Sequence, residues 1–99
     1  MRIIAFRTLK EFFERPEFAD SEVSLRAWYH DAKTAEWENS HDLKQQYKNA
    51  SIIGESRVVF NIKGNKYRLL VAIDYEFQVI FIRFIGTHKQ YDKIDIKKI

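Results

Sequence analysis

The sequence predicts an α+β domain with helices packed on one face of an antiparallel sheet. Three observations carry this. Apolar residues at helical spacing lie before residue 36, and strand-forming Val, Ile, Phe and Tyr dominate residues 57–87. The change of period from helix to strand falls across a polar stretch of residues 36–54. The order is then strand, two helices and a three-stranded meander, an arrangement that buries one sheet face under helices. A chain of 99 residues and 11.9 kDa has the length of one domain, spanning residues 1–99. It should bury roughly 65% of the surface its unfolded form exposes.

Met1-Arg2-Ile3-Ile4-Ala5-Phe6-Arg7 reads as a short strand, too brief for a signal peptide. Thr8 then qualifies as a helix N-cap, with Glu11 completing a capping box. The helix Leu9–Arg15 presents Leu9, Phe12 and Phe13 on one face, and Pro16 stops it. Asp20 or Ser21 caps a longer helix. In it Val23, Ala27, Trp28 and Ala32 recur at helical spacing beside Leu25 and Tyr29, reading as core. The polar connector holds at most one helical turn, around Asp42–Tyr47, and its His41 reads as a surface residue. Arg57–Ile62, Lys66–Asp74 and Val79–Thr87 are the meander strands. Lys63-Gly64-Asn65-Lys66 joins the first two, with Gly64 and Asn65 suited to positive φ. A short polar tail, His88–Ile99, follows and opens with a helical turn.

Composition removes several function classes. With no cysteine there is no disulfide, thiolate metal site or cysteine nucleophile, and three glycines are too few for a phosphate-binding glycine loop. The aromatic content of 15% excludes disorder over most of the chain. Arg68, Asp74 and Arg83 interrupt the longest apolar stretches, so no membrane span is expected and a soluble, cytoplasmic protein is. The net charge of +3 is unevenly placed. Residues 1–56 carry a net −2 and residues 57–99 a net +5, an asymmetry that points to a polyanion meeting the C-terminal half.

The hairpin gives this charge a position. With Gly64 and Asn65 at the turn, Lys63 lies across from Lys66, Asn61 from Arg68 and Val59 from Leu70. Residues directly across an antiparallel pair share a face, and like charges there destabilise the sheet. Lys63, Lys66 and Arg68 are therefore expected on one side, awaiting an anion, with Tyr67, Leu69, Val71 and Ile73 on the helix side. Arg83, between Ile82 and Phe84, needs a carboxylate such as Asp74 or Glu76, an exit to solvent, or a phosphate. If Leu70 faces Arg83, Arg68 and Arg83 share the charged side.

Thr87-His88-Lys89-Gln90-Tyr91-Asp92 places polar, chemically capable groups directly after a strand, where functional groups concentrate. A histidine titrating near neutrality, a phenol and a cation are the groups that metal-free RNA cleavage requires. His30, His41 and His88 show no metal-ligand spacing, and no serine-nucleophile motif is present. The bland alternative is an exposed loop of no special chemistry.

The segment Val58-Val59-Phe60-Asn61-Ile62-Lys63-Gly64-Asn65-Lys66-Tyr67-Arg68-Leu69-Leu70, with the later Gly86-Thr87-His88-Lys89-Gln90-Tyr91-Asp92, resembles the HigB-type toxins of type II toxin–antitoxin modules. These belong to the RelE-like superfamily of mRNA interferases. The resemblance implies a RelE-like small domain: an N-terminal strand and two helices on an antiparallel meander, with a short C-terminal helical tail. It also implies an endoribonuclease that needs no metal or other cofactor and cleaves mRNA on the ribosome. A helix-turn-helix, HigA-like antitoxin would neutralise it, with operator DNA bound only through that complex and no membrane involved. By the same resemblance Arg68 is the phosphate clamp. His88 and Tyr91 are proton-transfer or stacking groups, Lys89 a charge stabiliser, and Asp92 an orienting or structural residue. Lys63, Lys66, Arg83 and Asn61 are the expected RNA-binding residues. The alternative is a non-catalytic RNA- or ribosome-binding module using the same basic face.

Overall fold

The computed structural model describes residues 1–99. Strand β1 (Arg2–Ile4) runs directly into helix α1 (Phe6–Phe13), and a 3₁₀ segment, Pro16–Ser21, leads into helix α2 (Glu22–Thr34). Helix α3 (Ser40–Gln46) and strand β2 (Ser51–Ile53) precede the meander β3 (Arg57–Ile62), β4 (Tyr67–Asp74) and β5 (Val79–Thr87). A short helix α4 (His88–Asp92) and a 3₁₀ turn at Ile96–Lys98 complete the chain. The α+β class holds, and the sheet is mixed: its order is β1-β5-β4-β3-β2, with β1 parallel to β5 and the other pairs antiparallel. No helix is long and apolar enough to cross a membrane.

One sheet face carries the main core. Tyr67, Leu69, Val71 and Ile73 of β4, with Val58, Phe60 and Ile62 of β3, meet Leu9, Phe12 and Phe13 of α1 and Leu25, Trp28 and Ala32 of α2. Aromatic edges lock this layer: Trp28 meets Phe60 at 5.4 Å and Phe12 meets Tyr67 at 5.4 Å between ring centroids. Such pairs contribute about 0.5–1.5 kcal/mol beyond burial alone.

Several local expectations are corrected. Helix α1 starts at Phe6, before Thr8, because Phe6 packs on Phe13 and Tyr29 at 6.1 and 4.6 Å. Its N-cap is Ala5 with no side-chain bond, so Thr8 caps nothing, and Glu11 pairs with Arg7 at 2.8 Å instead of closing a box. Ser21 is the N-cap position of α2, yet its hydroxyl donates to the Phe18 carbonyl at 2.7 Å. On α2 the buried stripe is Leu25, Trp28 and Ala32; Val23 and Ala27 face outward. The connector is more ordered than its composition indicates. Asn39 caps α3 by accepting from the Asp42 N–H at 2.9 Å, Trp37 and Leu43 enter the core, and β2 adds a fifth strand. Positive φ falls at Lys63 (51°) and Gly64 (64°), not at Asn65.

The register Val59↔Leu70 and Asn61↔Arg68 is as the sequence predicts. Beyond it, strict alternation stops. The Lys63 side chain leaves from a left-handed residue, and both hairpin lysines reach the helix layer, where Asp20 accepts them. Lys63 Nζ lies 3.4 Å from the Asp20 carboxylate, which also binds Lys66 Nζ and the Tyr67 hydroxyl. The anion expected opposite these lysines is thus an internal carboxylate, and they do not share Arg68's face. Lys66 foremost, then Tyr67 and Lys63, hold the Asp20 carboxyl well below the usual carboxylate range.

A folded-state pKa depressed in this way contributes stability above the unfolded value of about 4, and the contribution is lost as pH falls below it. Asp20→Asn should therefore lower the thermal midpoint at pH 7. The gap to the wild-type chain should close as pH is stepped from about 4 towards 2. A gap independent of pH would show that packing, and not the charge, is what Asp20 contributes.

Candidate functional site

On the sheet face away from α1 and α2, a row of three residues crosses the meander: Asn61 on β3 pairs with Arg68 on β4, and Arg68 pairs with Gly86 on β5. Gly86 reaches this side because of the β-bulge at Arg83. Leu70 pairs with Phe84 while Val71 pairs with Ile82, so Arg83 is the extra residue. The bulge shifts the alternation of β5 by one. Ile82 and Ile85 both pack on the main core, leaving Phe84 and Gly86 on Arg68's face. Arg83 has no carboxylate; it is exposed, with its guanidinium 5.3 Å from the Phe81 ring. Neither Asp74 nor Glu76 pairs with it, and Leu70 does not face it.

Helix α4 lies over this row. Thr87 and Gln90 form a reciprocal cap, the Thr87 hydroxyl accepting from the Gln90 backbone N–H at 3.1 Å and the Gln90 side-chain Oε1 accepting from the Thr87 backbone N–H at 2.9 Å. A Cβ at Gly86 would lie 2.6 Å from Gln90 Oε1 and 2.6 Å from the tip of Phe84. A side chain here would force the Gln90 carboxamide and the Phe84 ring to move. Tyr91, half-buried, packs against Phe84 at 6.4 Å. Burial pushes its phenol pKa up and nearby Asp92 adds to this, while the Arg68 charge pulls it down. The phenol therefore keeps its proton near neutral pH and offers it as a donor.

Arg68 forms no ion pair. Its Nη1 donates to the Asn65 carbonyl at 3.0 Å, leaving a cation without a counter-charge beside a protonated phenol. His88 and Lys89 are exposed on the same helix. The Asp92 carboxylate lies 3.6 Å from His88 Nδ1, too long for a hydrogen bond and close enough to attract a protonated imidazole. The structure thus brings together Asn61, Arg68 and Tyr91, with His88 and Lys89 on the covering helix. Lys63 and Lys66 sit instead at the Asp20 cluster, and Arg83 stands apart at the bulge. No group of three or more His, Asp or Glu side chains is arranged to hold a metal ion.

Residues 21–94 match the HigB toxin family, described as the RelE-like toxic component of a toxin–antitoxin system. This span runs from α2 through the meander to α4. The chain belongs to that family. Among curated relatives, the mRNA interferase toxin HigB of Escherichia coli K12 is 40% identical over 38 residues. The mRNA interferase HigB of Shigella flexneri matches to the same degree. The matched stretch covers 38% of this chain and 36% of each relative, about a third of their length.

Two features of this family member, one at the site and one beside it, escape sequence reasoning. Gly86 is visible only once α4 is seen to rest on it, and Asp20 reaches the hairpin across 46 residues of chain. Gly86→Ala should force α4 or Phe84 to shift and cost about 1–3 kcal/mol, the range for overpacking a filled site. Amide exchange should rise at Gln90 and Tyr91 while β3 and β4 stay protected. Unchanged stability and exchange would mean that α4 is not held by this contact.

Proposed function

We propose that the chain is an RNA-cleaving toxin, an mRNA interferase, whose active face is the Asn61–Arg68–Gly86 row under α4. The observation that carries this reading is Arg68: a guanidinium with no carboxylate partner, on a sheet face beside a phenol that retains its proton. An unpaired cation next to a proton donor suits a phosphodiester, whose charge grows as its bond breaks. The relatives' description as mRNA interferases supports the same substrate class.

In the proposed reaction, the RNA 2′-hydroxyl loses its proton to a general base and its oxygen bonds to the neighbouring phosphorus. The bond from phosphorus to the 5′-oxygen breaks, and that oxygen takes a proton from a general acid. The products are a 2′,3′-cyclic phosphate and a 5′-hydroxyl. Arg68 grips the non-bridging oxygens and Lys89 adds positive charge nearby. His88 is the candidate base, with the Asp92 carboxylate 3.6 Å from its Nδ1, and Tyr91 is the proton-holding partner. Asn61 contacts the RNA beside the clamp. Lys63 and Lys66 retain one net positive charge over Asp20 and, with Arg83, extend the contact with the RNA backbone. In this reading catalysis uses side chains and no metal, the mRNA is presented by the ribosome, and a helix-turn-helix, HigA-like antitoxin covers the basic face. Operator DNA is reached only through that complex.

Cleavage of ribosome-bound mRNA tests the assignment. Arg68→Ala should abolish cleavage and growth arrest while circular dichroism and thermal melts stay within about 0.5 kcal/mol, as for ordinary surface changes. His88→Ala and Tyr91→Phe should each slow cleavage by about 10²–10⁴-fold with little loss of RNA binding. The double variant should fall far short of additivity. Wild-type rates in both single variants would refute the assignment, and RNA association without any cleavage would establish a non-catalytic binding module. Lys63→Ala and Lys66→Ala should weaken association in a salt-dependent way and leave the cleavage step nearly intact.

A further inference from the structure

Beside the phosphate clamp lies a second feature, which shares Asn61 with it. Strand β2 pairs with β3 only as far as Ser51↔Val59, so the β3 edge from Phe60 onward has no strand neighbour on that side. At this open edge is a cleft of about 380 Å³, lined by Gln46, Asn49, Asn61 and Asn65, with Tyr47 and Lys48 on its wall. That volume is in the range of small-molecule sites, about 300–1,000 Å³.

Four residues with carboxamide side chains line the cleft and no carboxylate does. Gln46 Oε1 accepts from the Trp37 indole at 3.2 Å, which fixes that amide and leaves its NH₂ free to donate. The side chains of Asn49, Asn61 and Asn65 make no hydrogen bond within the chain. The loop that presents Asn49 is itself held: Lys44 Nζ donates to the carbonyls of Lys48 at 2.7 Å and Ala50 at 2.8 Å. Two contacts tie the cleft to the clamp. Arg68 donates to the Asn65 carbonyl, and Asn61, opposite Arg68 in the ladder, lines the cleft.

A carboxamide offers a donor and an acceptor in one plane, matching the mixed edge of a nucleobase. We infer that this cleft is a base-recognition subsite. It takes the nucleobase of a nucleotide next to the phosphate held by Arg68, and Asn49 and Asn65 determine which base is accepted. The inference rests on the proposed RNA cleavage and adds to it a determinant of sequence preference. The absence of a lining carboxylate favours an anionic nucleotide over a cationic ligand, and Lys48 at the rim favours the adjoining phosphate.

Cut sites mapped along one ribosome-bound mRNA test the subsite. Asn49→Ala and Asn65→Ala should each flatten the base preference at one position next to the cut by about tenfold, the discrimination of a good paired contact. Asn49→Asp, which exchanges a donor for an acceptor, should shift the preference to another base instead of flattening it, and it keeps the inference testable should the alanine variants misfold. An unaltered cut-site profile in folded variants overturns the subsite while leaving the nuclease reading intact. Titration of the wild-type chain with each nucleoside 5′-monophosphate, read by amide chemical shifts, separates the two readings. Selective shifts at residues 46–50 and 64–65 without any mRNA cleavage would uphold the cleft and sink the nuclease. Shifts confined to other residues would overturn the cleft.

Discussion

Everything in this molecule is hung on β4, the middle strand of the sheet, whose helix-side face is fully buried. Tyr67, Leu69, Val71 and Ile73 are closed over by α1 and α2, and Leu70 is fully buried on the opposite side. A one-residue slip against β3 would send all four core residues to the outer face and carry Arg68 into the helix layer. Burying that guanidinium unpaired would be prohibitive. The same constraint that holds the core therefore fixes the cation on the outer face, with Asn61 and Gly86 on either side of it. Fold and site are one decision.

Strand β5 completes the arrangement by breaking its own alternation. Without the bulge at Arg83, Ile80, Ile82, Phe84 and Gly86 would all face the helices, and Ile85 would face out. The extra residue keeps Ile85 in the core, turns Phe84 and Gly86 outward and leaves Arg83 in solvent. Gly86 then gives α4 a close seat, and Phe84 supplies the ring on which Tyr91 rests. Arg57 anchors the chain beyond α4, donating twice to the backbone oxygen of Ile99 at 2.9 and 2.7 Å. The covering helix is thus held from both sides.

Elements whose signal is local are legible in the sequence. The three meander strands follow from β-branched and aromatic runs, and the pairing Asn61↔Arg68 follows from the hairpin. The buried faces of α1 and α2 follow largely from spacing, although Val23 shows that an apolar residue on a helix is no guarantee of burial. What escapes is set by distant partners. Strand β2 is three residues long and exists because β3 offers it an edge. The bulge depends on which of Phe84 and Ile85 the core accepts. The hairpin lysines look like a lone basic cluster until Asp20 is folded against them. For the site, Arg68 and Tyr91 could be singled out by residue type and position, while the Gly86 seat and the cleft at the β3 edge emerge only from the packing.

The electrostatics sort the basic half of the chain into two kinds of charge. Lys63 and Lys66 are balanced in part by an internal carboxylate, whereas Arg68 has only backbone carbonyls. Uncompensated charge beside a protonated phenol is what gives this face its proposed chemistry. The most direct measurement is of the ends left on ribosome-bound mRNA cut by the purified wild-type chain. Side-chain catalysis through Arg68, His88 and Tyr91 requires 2′,3′-cyclic phosphate and 5′-hydroxyl ends. Ends bearing a 5′-phosphate and a 3′-hydroxyl would contradict it.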